Sequence, residues 1–323
     1  MNAHVAVVGA GAWGAALAMQ AARAGNRVTL WARSSEALLP DGSLRRLPGI
    51  ALPDTVRLVT ALPDDRTDSA DAVLLAVPMQ HLREVAGRLR PRAPLVACCK
   101  GLERHTGRLP LELLAELHPA AALGMLSGPN FAREVALGLP AAAVIACADG
   151  GLAGTLCGLL ATEDFRPYAS DDPVGVQVGA ATKNVITIAA GAAIGAGLGE
   201  NARAALITRG LAEIGRLILG LGGRPATASG LSGLGDLVLT CTGTGSRNYR
   251  VGLALGAGRS LGSILSAHGG VAEGVETAPA LAARAASLGI AVPVTEAVAL
   301  LLAGAIDLRQ ARTRLLARPP GLE

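Results

Sequence analysis

The chain has 323 residues, of which 29 are lysine or arginine and 25 are aspartate or glutamate, giving a net charge of +4. This length fits two domains of ordinary size. A hydrophobic content of 51% raises the question of a membrane protein, but the charge-free stretch 184–199 has only sixteen residues, and the charge-free residues 1–22 are interrupted by a glycine turn. A spanning helix needs about 20. No secretory leader pattern opens the sequence, so we expect a cytoplasmic protein without an integral membrane segment.

Cysteine and aromatic content exclude further classes. The five cysteines form no C-x-x-C pair, so neither a disulfide framework nor a metal site is supported. Aromatic residues make up only 2% of the chain and its arginines are scattered, which argues against a nucleic-acid binder and suits a small anionic substrate.

Lysine is rare in this sequence. Lys100 and Lys183 are the only lysines among the 29 basic residues. A lysine can exchange a proton and act as a compact charge, which an arginine cannot do near neutral pH. The two lysines are therefore candidates for such tasks, and chance scarcity is the alternative explanation.

Residues 4–33 predict a strand, a glycine turn, a helix that ends at Gly25 and a second strand. Within the turn, Gly9, Gly11 and Gly14 form G-x-G-x-x-G. In a dinucleotide-binding unit these glycines permit the tight turn, the approach of the pyrophosphate to backbone amides, and close packing of helix on strand. Trp13 lies inside the turn, where it could cover a cofactor or pack on the sheet.

The end of the second predicted strand indicates the type of cofactor. An acidic residue there binds the ribose of NAD, whereas an arginine accommodates the 2′-phosphate of NADP. The sequence has Arg33 and no acid before Glu36, which favours NADP, with a solvated arginine as the alternative.

Further apolar runs, mostly separated by helical patterns, predict a mostly parallel sheet; they lie at 72–77, 95–99, 122–126 and 141–148. Lys100 follows one of these runs, at the edge where open parallel sheets bind ligands. The loop 127–132 follows the next run and should expose small polar groups at the same edge. The segment between Pro40 and Pro63 is predicted to be irregular.

From Pro173 onwards the patterns become helical, which predicts a second, all-helical domain. We place the domains at residues 1–172 and 173–323. Helices are predicted at 174–193, 201–221, 229–240, 248–255, 260–266, 276–288 and 294–303, followed by a loosely held basic tail at 309–323.

Polar residues in the second domain indicate chemistry. Lys183 lies in an otherwise apolar helix, where partial desolvation would lower its pKa towards a range useful for proton transfer, unless the side chain reaches solvent. Asp236 and Glu273 are acids flanked by apolar residues. The turn 242–248 ends in Ser246, Arg247 and Asn248, which are suitable donors for a phosphate.

Taken in order, GAGAWG, CKG, SGPNFA, GAATKNV, NARAALITRGLAE, GLGDLVLTCT, SRN and VAEG resemble the bacterial NAD(P)-dependent glycerol-3-phosphate dehydrogenases over nearly the whole chain. The resemblance implies an α/β Rossmann-type dinucleotide-binding domain followed by an all-α domain like the C-terminal domain of 6-phosphogluconate dehydrogenase. It also implies reversible reduction of dihydroxyacetone phosphate to sn-glycerol 3-phosphate for phospholipid synthesis, with NADP as the preferred cofactor or NAD. The oligomeric state is open, with a homodimer as the candidate assembly.

The same resemblance implies roles for individual residues. Lys183 would be the proton acceptor or donor. The substrate would contact Lys100, Gly128, Asn130, Lys183, Asp236, Ser246, Arg247 and Asn248. The cofactor would contact Gly9, Gly11, Ala12, Trp13, Gly14, Arg33, Lys100, Ala132, Arg247, Val271 and Glu273. The sequence departs from the family at Asn130, where many relatives carry serine or threonine, and in a shortened segment after Arg33, whose contacts cannot be transferred.

Two alternatives remain open from the residues. Another Rossmann-fold hydroxyacid or ketopantoate-type reductase would share the catalytic lysine but would not need the phosphate-binding SRN turn. A non-catalytic NAD(P)-binding sensor would keep the glycine turn and could discard Lys183 and Asp236.

Overall fold

The computed structural model describes residues 3–39, 42–60, 69–267 and 272–317. The chain divides into two compact units, one formed by Met1–Lys100 and Leu109–Val176 and the other by Gly101–Arg108 and Gln177–Glu323. The short segment Gly101–Arg108 thus belongs to the second unit, although the sequence analysis placed it in the first domain.

The first unit is built around a β-sheet. Its strands are β1 (His4–Val8), β2 (Arg27–Trp31), β3 (Ser43–Leu44), β4 (Leu47–Ala51), β5 (Val56–Val59), β6 (Ala72–Leu75), β7 (Leu95–Ala97), β8 (Leu123–Ser127), β9 (Ala141–Cys147) and β10 (Phe165–Ser170). Eight of them form one sheet in the order β10-β9-β8-β7-β6-β1-β2-β5, while β3 and β4 pair separately. Only β8 and β9 pair antiparallel within the large sheet.

Strand order creates the binding edge. From β1 the chain first adds β2 and β5 on one side and then returns to add β6, β7 and β8 on the other. Ligands of open α/β sheets bind where the order reverses, beyond the carboxyl ends of the strands. The turn after β1 and the loops after β6, β7 and β8 all lie at this edge.

Helices accompany the sheet in the first unit: α1 (Ala12–Arg23), α2 (Met79–Ala86), α3 (Pro110–Leu117), α4 (Ala132–Leu137) and α5 (Gly150–Gly158). Strands β1 and β6 are buried along their whole length, which is why they read as continuous apolar runs rather than as alternating patterns. The small side chains of Ala15, Ala16 and Ala18 are fully buried in α1 and allow the helix to pack closely on the sheet.

Two stretches of the first unit differ from the predictions. The segment from Pro40 to Pro63 is not irregular in its described part, because it contains the β3–β4 hairpin and β5, an edge strand of the large sheet. Pro48 lies within the short strand β4, and Pro53 precedes β5. Strand β10 was not predicted, and its Pro167 is tolerated because β10 is also an edge strand.

All regular secondary structure in the described part of the second unit is helical, as predicted. It contains most of α6 (Pro173–Gly195), then α7 (Gly199–Gly220), α8 (Asp236–Cys241), α9 (Arg247–Gly256), α10 (Leu261–Ala267), α11 (Glu273–Ser287), α12 (Pro293–Leu302) and α13 (Leu308–Leu316). A short π-helix, Leu231–Gly235, leads directly into α8.

The C-terminal segment is more ordered than predicted up to residue 317. Helix α13 begins with a capping box, in which the Asp307 carboxylate accepts a hydrogen bond from the Gln310 backbone and the Gln310 side chain accepts one from the Asp307 backbone. This D-x-x-Q pattern is a helix-start signal that could have been recognised in the sequence.

One helix in the described part of the chain, α6, is long and apolar enough to cross a membrane by length and composition. Within the protein, 83% of its apolar window is buried. Burial of that extent is typical of the central helix of a folded domain, and α6 also carries Lys183 at its middle.

Candidate active site

The turn between β1 and α1 has the geometry of a dinucleotide cradle. Gly9 adopts φ +115°, and a Cβ there would lie 2.9 Å from the carbonyl oxygen of Ala76. A Cβ on Gly14 would collide with the carbonyl oxygen of Gly9. A Cβ on Gly11, by contrast, would meet no atom within 4 Å. Two glycines are therefore required by the fold, while the third leaves open space in front of the helix N-terminus, where a pyrophosphate could approach.

The surroundings of this turn suit a bound anion. Helix α1 begins with an N-cap, Gly11, that has no side-chain hydrogen bond, and its first turn contains no acid. The free amides and the positive end of the helix dipole therefore face open space. Ala12 and Trp13 are half-buried in this first turn. Arg33 follows β2 and its side chain is exposed, so it is accessible to a ligand.

A second group of predicted residues meets after β7 and β8. The ammonium of Lys100 donates a hydrogen bond to the carbonyl oxygen of Gly128 over 3.3 Å. Gly128 has φ +133°, and a Cβ there would lie 3.0 Å from Ala143 Cα. Asn130 fixes the same loop, because its side-chain amide donates to the carbonyl oxygen of Ala142 over 3.0 Å. The structure thus brings Lys100, Gly128 and Asn130 together, with half-buried Ala132 at the start of α4.

Three buried side-chain atoms in the described part of the chain have no hydrogen-bond partner: Trp13 Nε1, Ser127 Oγ and Asn130 Oδ1. All three belong to the first unit and lie at or just beyond the carboxyl ends of β1 and β8. Buried polar atoms are normally paired, and exceptions mark places where a ligand or water completes the bonding. Together with the open space at Gly11, these atoms fit a dinucleotide at this edge. From the sequence, Ser127 is predicted only as the first residue of a loop.

The second unit contains a buried ion pair. Lys183 in α6 donates a hydrogen bond from Nζ to Oδ1 of Asp236 in α8 over 3.0 Å, and the two side chains are only 6% and 1% exposed. Lys183 therefore does not reach solvent as a surface lysine would. The ammonium and the carboxylate are thus held against each other away from water.

Hydroxyl groups extend this pair into the helical core. Thr240 donates to the backbone oxygen of Asp236 over 2.7 Å, and its hydroxyl is 2.9 Å from that of Thr187, one turn beyond Lys183. The thiol of Cys241 lies 3.4 Å from the Thr187 hydroxyl, and burial raises the pKa of this thiol to about 11. The thiol is therefore neutral near pH 7. The contact between α6 and α8 was not predicted from the sequence.

Helices α6 and α9 pack through glycines. A Cβ on Gly252 would collide with the carbonyl oxygen of Ile188, and one on Gly256 with that of Ala192. In the opposite direction, a Cβ on Gly191 would collide with the carbonyl oxygen of Tyr249. The two helices thus run parallel with their backbones in contact. The four-residue spacing of glycines in both helices is the sequence signal for this contact.

The glycine contact brings Asn248, one of the predicted phosphate donors, against Asn184, the residue after Lys183. At the start of α9, the amide of Asn248 donates to Oδ1 of Asn184 over 2.8 Å, and its own oxygen accepts from the backbone of Gly274 over 3.0 Å. Asn248 thereby joins α6, α9 and the start of α11. Ser246 caps α9 by accepting from the backbone of Tyr249, whereas the side chain of Arg247 is exposed.

The remaining predicted residues are placed as follows. Half-buried Glu273 begins α11, next to Gly274, and therefore lies near Asn248. Val271 lies outside the described residues. Two of the expected cofactor contacts, Arg247 and Glu273, belong to the second unit, while the others with described positions belong to the first. Within the described ranges, no group of three or more His, Cys, Asp or Glu side chains could hold a metal ion.

The first unit has a glycine turn typical of nucleotide binding on a mostly parallel sheet. The helices of the second unit enclose a lysine–carboxylate pair. These two features define the class of protein as a two-unit dehydrogenase. Comparison with known proteins names the family. Residues 4–153 match the family model described as NAD-dependent glycerol-3-phosphate dehydrogenase N-terminus, and residues 172–313 match the corresponding C-terminus. The chain belongs to the NAD-dependent glycerol-3-phosphate dehydrogenase family.

Individual relatives agree with this assignment. A protein from Gluconobacter oxydans named glycerol-3-phosphate dehydrogenase (NAD(P)+) is 55% identical over 99% of this chain and 98% of its own length. One of the same name from Acidiphilium cryptum is 55% identical over 98% of both chains. A crystal structure of glycerol-3-phosphate dehydrogenase from Coxiella burnetii superposes with a TM-score of 0.92 at 37% identity, covering 98% of this chain and 99% of that chain.

Proposed function

We propose that this chain catalyses the reversible transfer of hydride between NAD(P)H and dihydroxyacetone phosphate, giving sn-glycerol 3-phosphate. The proposal is carried by the buried pair of Lys183 with Asp236 in a chain of this family, because a desolvated lysine fixed by a carboxylate can exchange a proton with an alkoxide. A sensor without catalysis would have no need for a buried ion pair, which is costly to desolvate.

Lys183 is the proposed general acid and base. Bound NAD(P)H supplies the hydride to the carbonyl carbon of the substrate. In that direction Lys183, as the ammonium, gives its proton to the oxygen that becomes the alcohol; in the reverse direction it is neutral and accepts the proton. Asp236 holds Nζ in position at 3.0 Å, and its charge stabilises the ammonium that forms in the reverse direction.

Other residues are proposed to bind the substrate. Arg247 is exposed at the start of α9 and offers a guanidinium to the phosphate, next to the amides of the helix N-terminus. Ser246 and Asn248 shape this helix end, and Asn248 has one further N–H to offer. Lys100 is proposed to place positive charge near the substrate oxygens, which stabilises charge that develops during the reaction, and Gly128 and Asn130 are proposed to contact the substrate beside it.

The cofactor is proposed to bind along the sheet edge of the first unit. The turn at Gly9, Gly11 and Gly14 would hold the pyrophosphate, and Arg33 would accept the 2′-phosphate of NADP, so NADP is preferred and NAD is also used. Further contacts are proposed for Ala12, Trp13, Lys100, Ala132, Arg247, Val271 and Glu273.

The organisation and setting of the enzyme are also proposals. Residues 1–172 would form the nucleotide-binding domain and residues 173–323 the catalytic domain. The family and the apolar but buried helix α6 support a cytoplasmic enzyme that feeds phospholipid synthesis. A homodimer is the proposed assembly.

The test follows the oxidation of NADPH and NADH by the purified protein with dihydroxyacetone phosphate. We expect turnover with both cofactors and a higher kcat/KM with NADPH. Ketopantoate serves as the control substrate, because it has no phosphate for the α9 N-terminus. Oxidation with ketopantoate and none with dihydroxyacetone phosphate would contradict the proposal.

A further inference from the structure

The three unpartnered polar atoms in the described part of the chain lie along one edge of the sheet. Trp13 lies in the first helical turn after β1, while Ser127 is the last residue of β8 and Asn130 follows that strand. Three strand-to-strand steps separate β1 from β8, which is roughly 14 Å at the usual spacing. A three-carbon phosphate is too short to contact both ends of this line. An extended dinucleotide, which begins at the N-terminus of α1, is long enough.

Ser127 is the most enclosed of these residues. Its exposure is 1%, its backbone is held in register opposite Val144 of β9, and its hydroxyl has no partner. A hydroxyl that is buried without a hydrogen bond disfavours folding. No polar group in the described part of the chain pairs with this hydroxyl, so we expect its hydrogen-bond partner to be a bound ligand.

The hydrogen-bonding chemistry of Ser127 and Asn130 indicates which kind of ligand group they bind. Asn130 uses one N–H of its side-chain amide to bind the oxygen of Ala142, while its buried side-chain oxygen has no partner and requires a donor. A phosphate dianion carries only acceptors. A primary carboxamide carries both an N–H donor and a carbonyl acceptor, and a serine hydroxyl can donate to that carbonyl.

We propose that Ser127 is a cofactor-binding residue that donates a hydrogen bond to the carboxamide of the nicotinamide, with Asn130 accepting from the same group. This inference rests on the proposed use of NAD(P)H and adds a recognition element for its nicotinamide end. The carboxamide orients the ring, so the pair determines which face of the ring is presented for hydride transfer.

The test is equilibrium binding of NADPH to Ser127→Ala without substrate. We expect the Kd of NADPH to rise about tenfold, as for the loss of one hydrogen bond. The Kd of 2′-phosphoadenosine 5′-diphosphoribose, which lacks the nicotinamide, should be unchanged. The thermal midpoint of the ligand-free variant should equal or exceed that of the wild type, because the removed hydroxyl had no partner.

Ser170→Ala is the matched control. Ser170 also ends a strand, but its hydroxyl accepts a hydrogen bond from the backbone of Asp172 over 3.1 Å. This variant should lower the midpoint of the free protein and leave the Kd of NADPH unchanged.

Three outcomes would overturn the inference. An unchanged Kd of NADPH in Ser127→Ala would do so, and if the KM for dihydroxyacetone phosphate rose instead, Ser127 would be a substrate contact. Equal weakening of NADPH and the nicotinamide-free analogue, with a lower midpoint of the free protein, would indicate a purely structural serine. Absence of NADPH binding by the wild type would contradict the proposed function itself.

Discussion

Buried polar atoms of the candidate site are left unpaired in the described part of the first unit, whereas in the second unit such groups are paired with each other. In the first unit, the glycine turn leaves open space at Gly11, and three buried polar atoms lack partners in the described structure. In the second unit, the corresponding groups are already paired: Lys183 with Asp236, and Asn248 with Asn184. We propose that a ligand completes the first arrangement, whereas the second is already paired in the structure without a ligand.

Because of this difference, substitutions in the first unit should affect ligand binding, whereas substitutions in the second should affect the stability of the fold. Where a polar atom awaits a ligand, its removal should weaken binding and leave the free protein intact. Where polar atoms pair with each other, removal of one partner should destabilise the protein, because the other is left buried and uncompensated. Four substitutions test this contrast.

The largest effect is expected for Asp236→Ala. Lys183 would then keep a buried positive charge without its carboxylate, which should lower the free energy of unfolding by about 3–5 kcal/mol. Urea unfolding measures this loss. The double variant Lys183→Met, Asp236→Leu should recover most of the stability and remain inactive. A single variant as stable as the wild type would show that the pair does not hold the helical unit together.

Gly252→Ala tests the contact between α6 and α9. The added methyl group would collide with the carbonyl oxygen of Ile188 and force the helices apart, at a cost of about 1–3 kcal/mol. Gly215→Ala in α7 is the control, because its methyl group would meet no atom within 4 Å and should add up to about 1 kcal/mol of helix stability. Equal thermal midpoints for the two variants would argue against close backbone contact.

Glu213 gives a pH-dependent prediction for the paired unit. Its carboxylate accepts from the backbone of Val294 over 2.5 Å and from the backbone and hydroxyl of Thr295 over 3.1 and 2.9 Å, which caps α12. Burial is the main cause that raises the pKa of Glu213 above its ordinary value of 4.5. The folded protein therefore keeps this proton to a higher pH than the unfolded chain.

Above pH 4.5, the contribution of Glu213 to stability should accordingly fall as pH rises through the pKa of the folded state, by at most about 1.4 kcal/mol per pH unit. Glu213→Gln removes this titration. The measurement is the free energy of unfolding of both proteins between pH 4.5 and 8, and the advantage of the wild type should shrink with rising pH. An advantage that grows with pH would mean that the folded state prefers the ionised carboxylate.

The smallest change in stability is expected for Gly11→Ala in the first unit. The methyl group has space in the free protein, so the free energy of unfolding should change by no more than about 0.5 kcal/mol. The same methyl group should obstruct the pyrophosphate, and the Kd of NADPH should rise about tenfold or more. Gly150→Ala, at the start of α5 and also without neighbours within 4 Å, should change neither quantity. Loss of stability in Gly11→Ala would contradict the contrast between the units.

Local patterns made the first unit largely predictable. The turn at residues 9–14 and the ligand edge near Lys100 follow from short-range spacing and from strand polarity, and the fold class and family are confirmed. Edge strands β5 and β10 were missed because flanking or internal prolines resemble loop signals. The capping box that begins α13 was a readable signal that was overlooked.

Pairing in the second unit could not be predicted from the residues alone. Lys183 and Asp236 are 53 positions apart, and Asn184 and Asn248 are 64 apart. Helical periodicity shows which face of a helix is apolar, but it does not show which helices lie side by side. The resemblance to a family indicated that these residues share a site, whereas their mutual hydrogen bonds emerged only from the folded chain.

The central claim is that Lys183 exchanges a proton with the substrate. Lys183→Arg tests it most directly, because arginine keeps the positive charge opposite Asp236 and cannot release a proton near neutral pH. With saturating NADPH and dihydroxyacetone phosphate, kcat should fall by about 100-fold or more while the Kd of NADPH is unchanged. A variant that folds, binds NADPH and turns over at nearly the rate of the wild type would contradict the account.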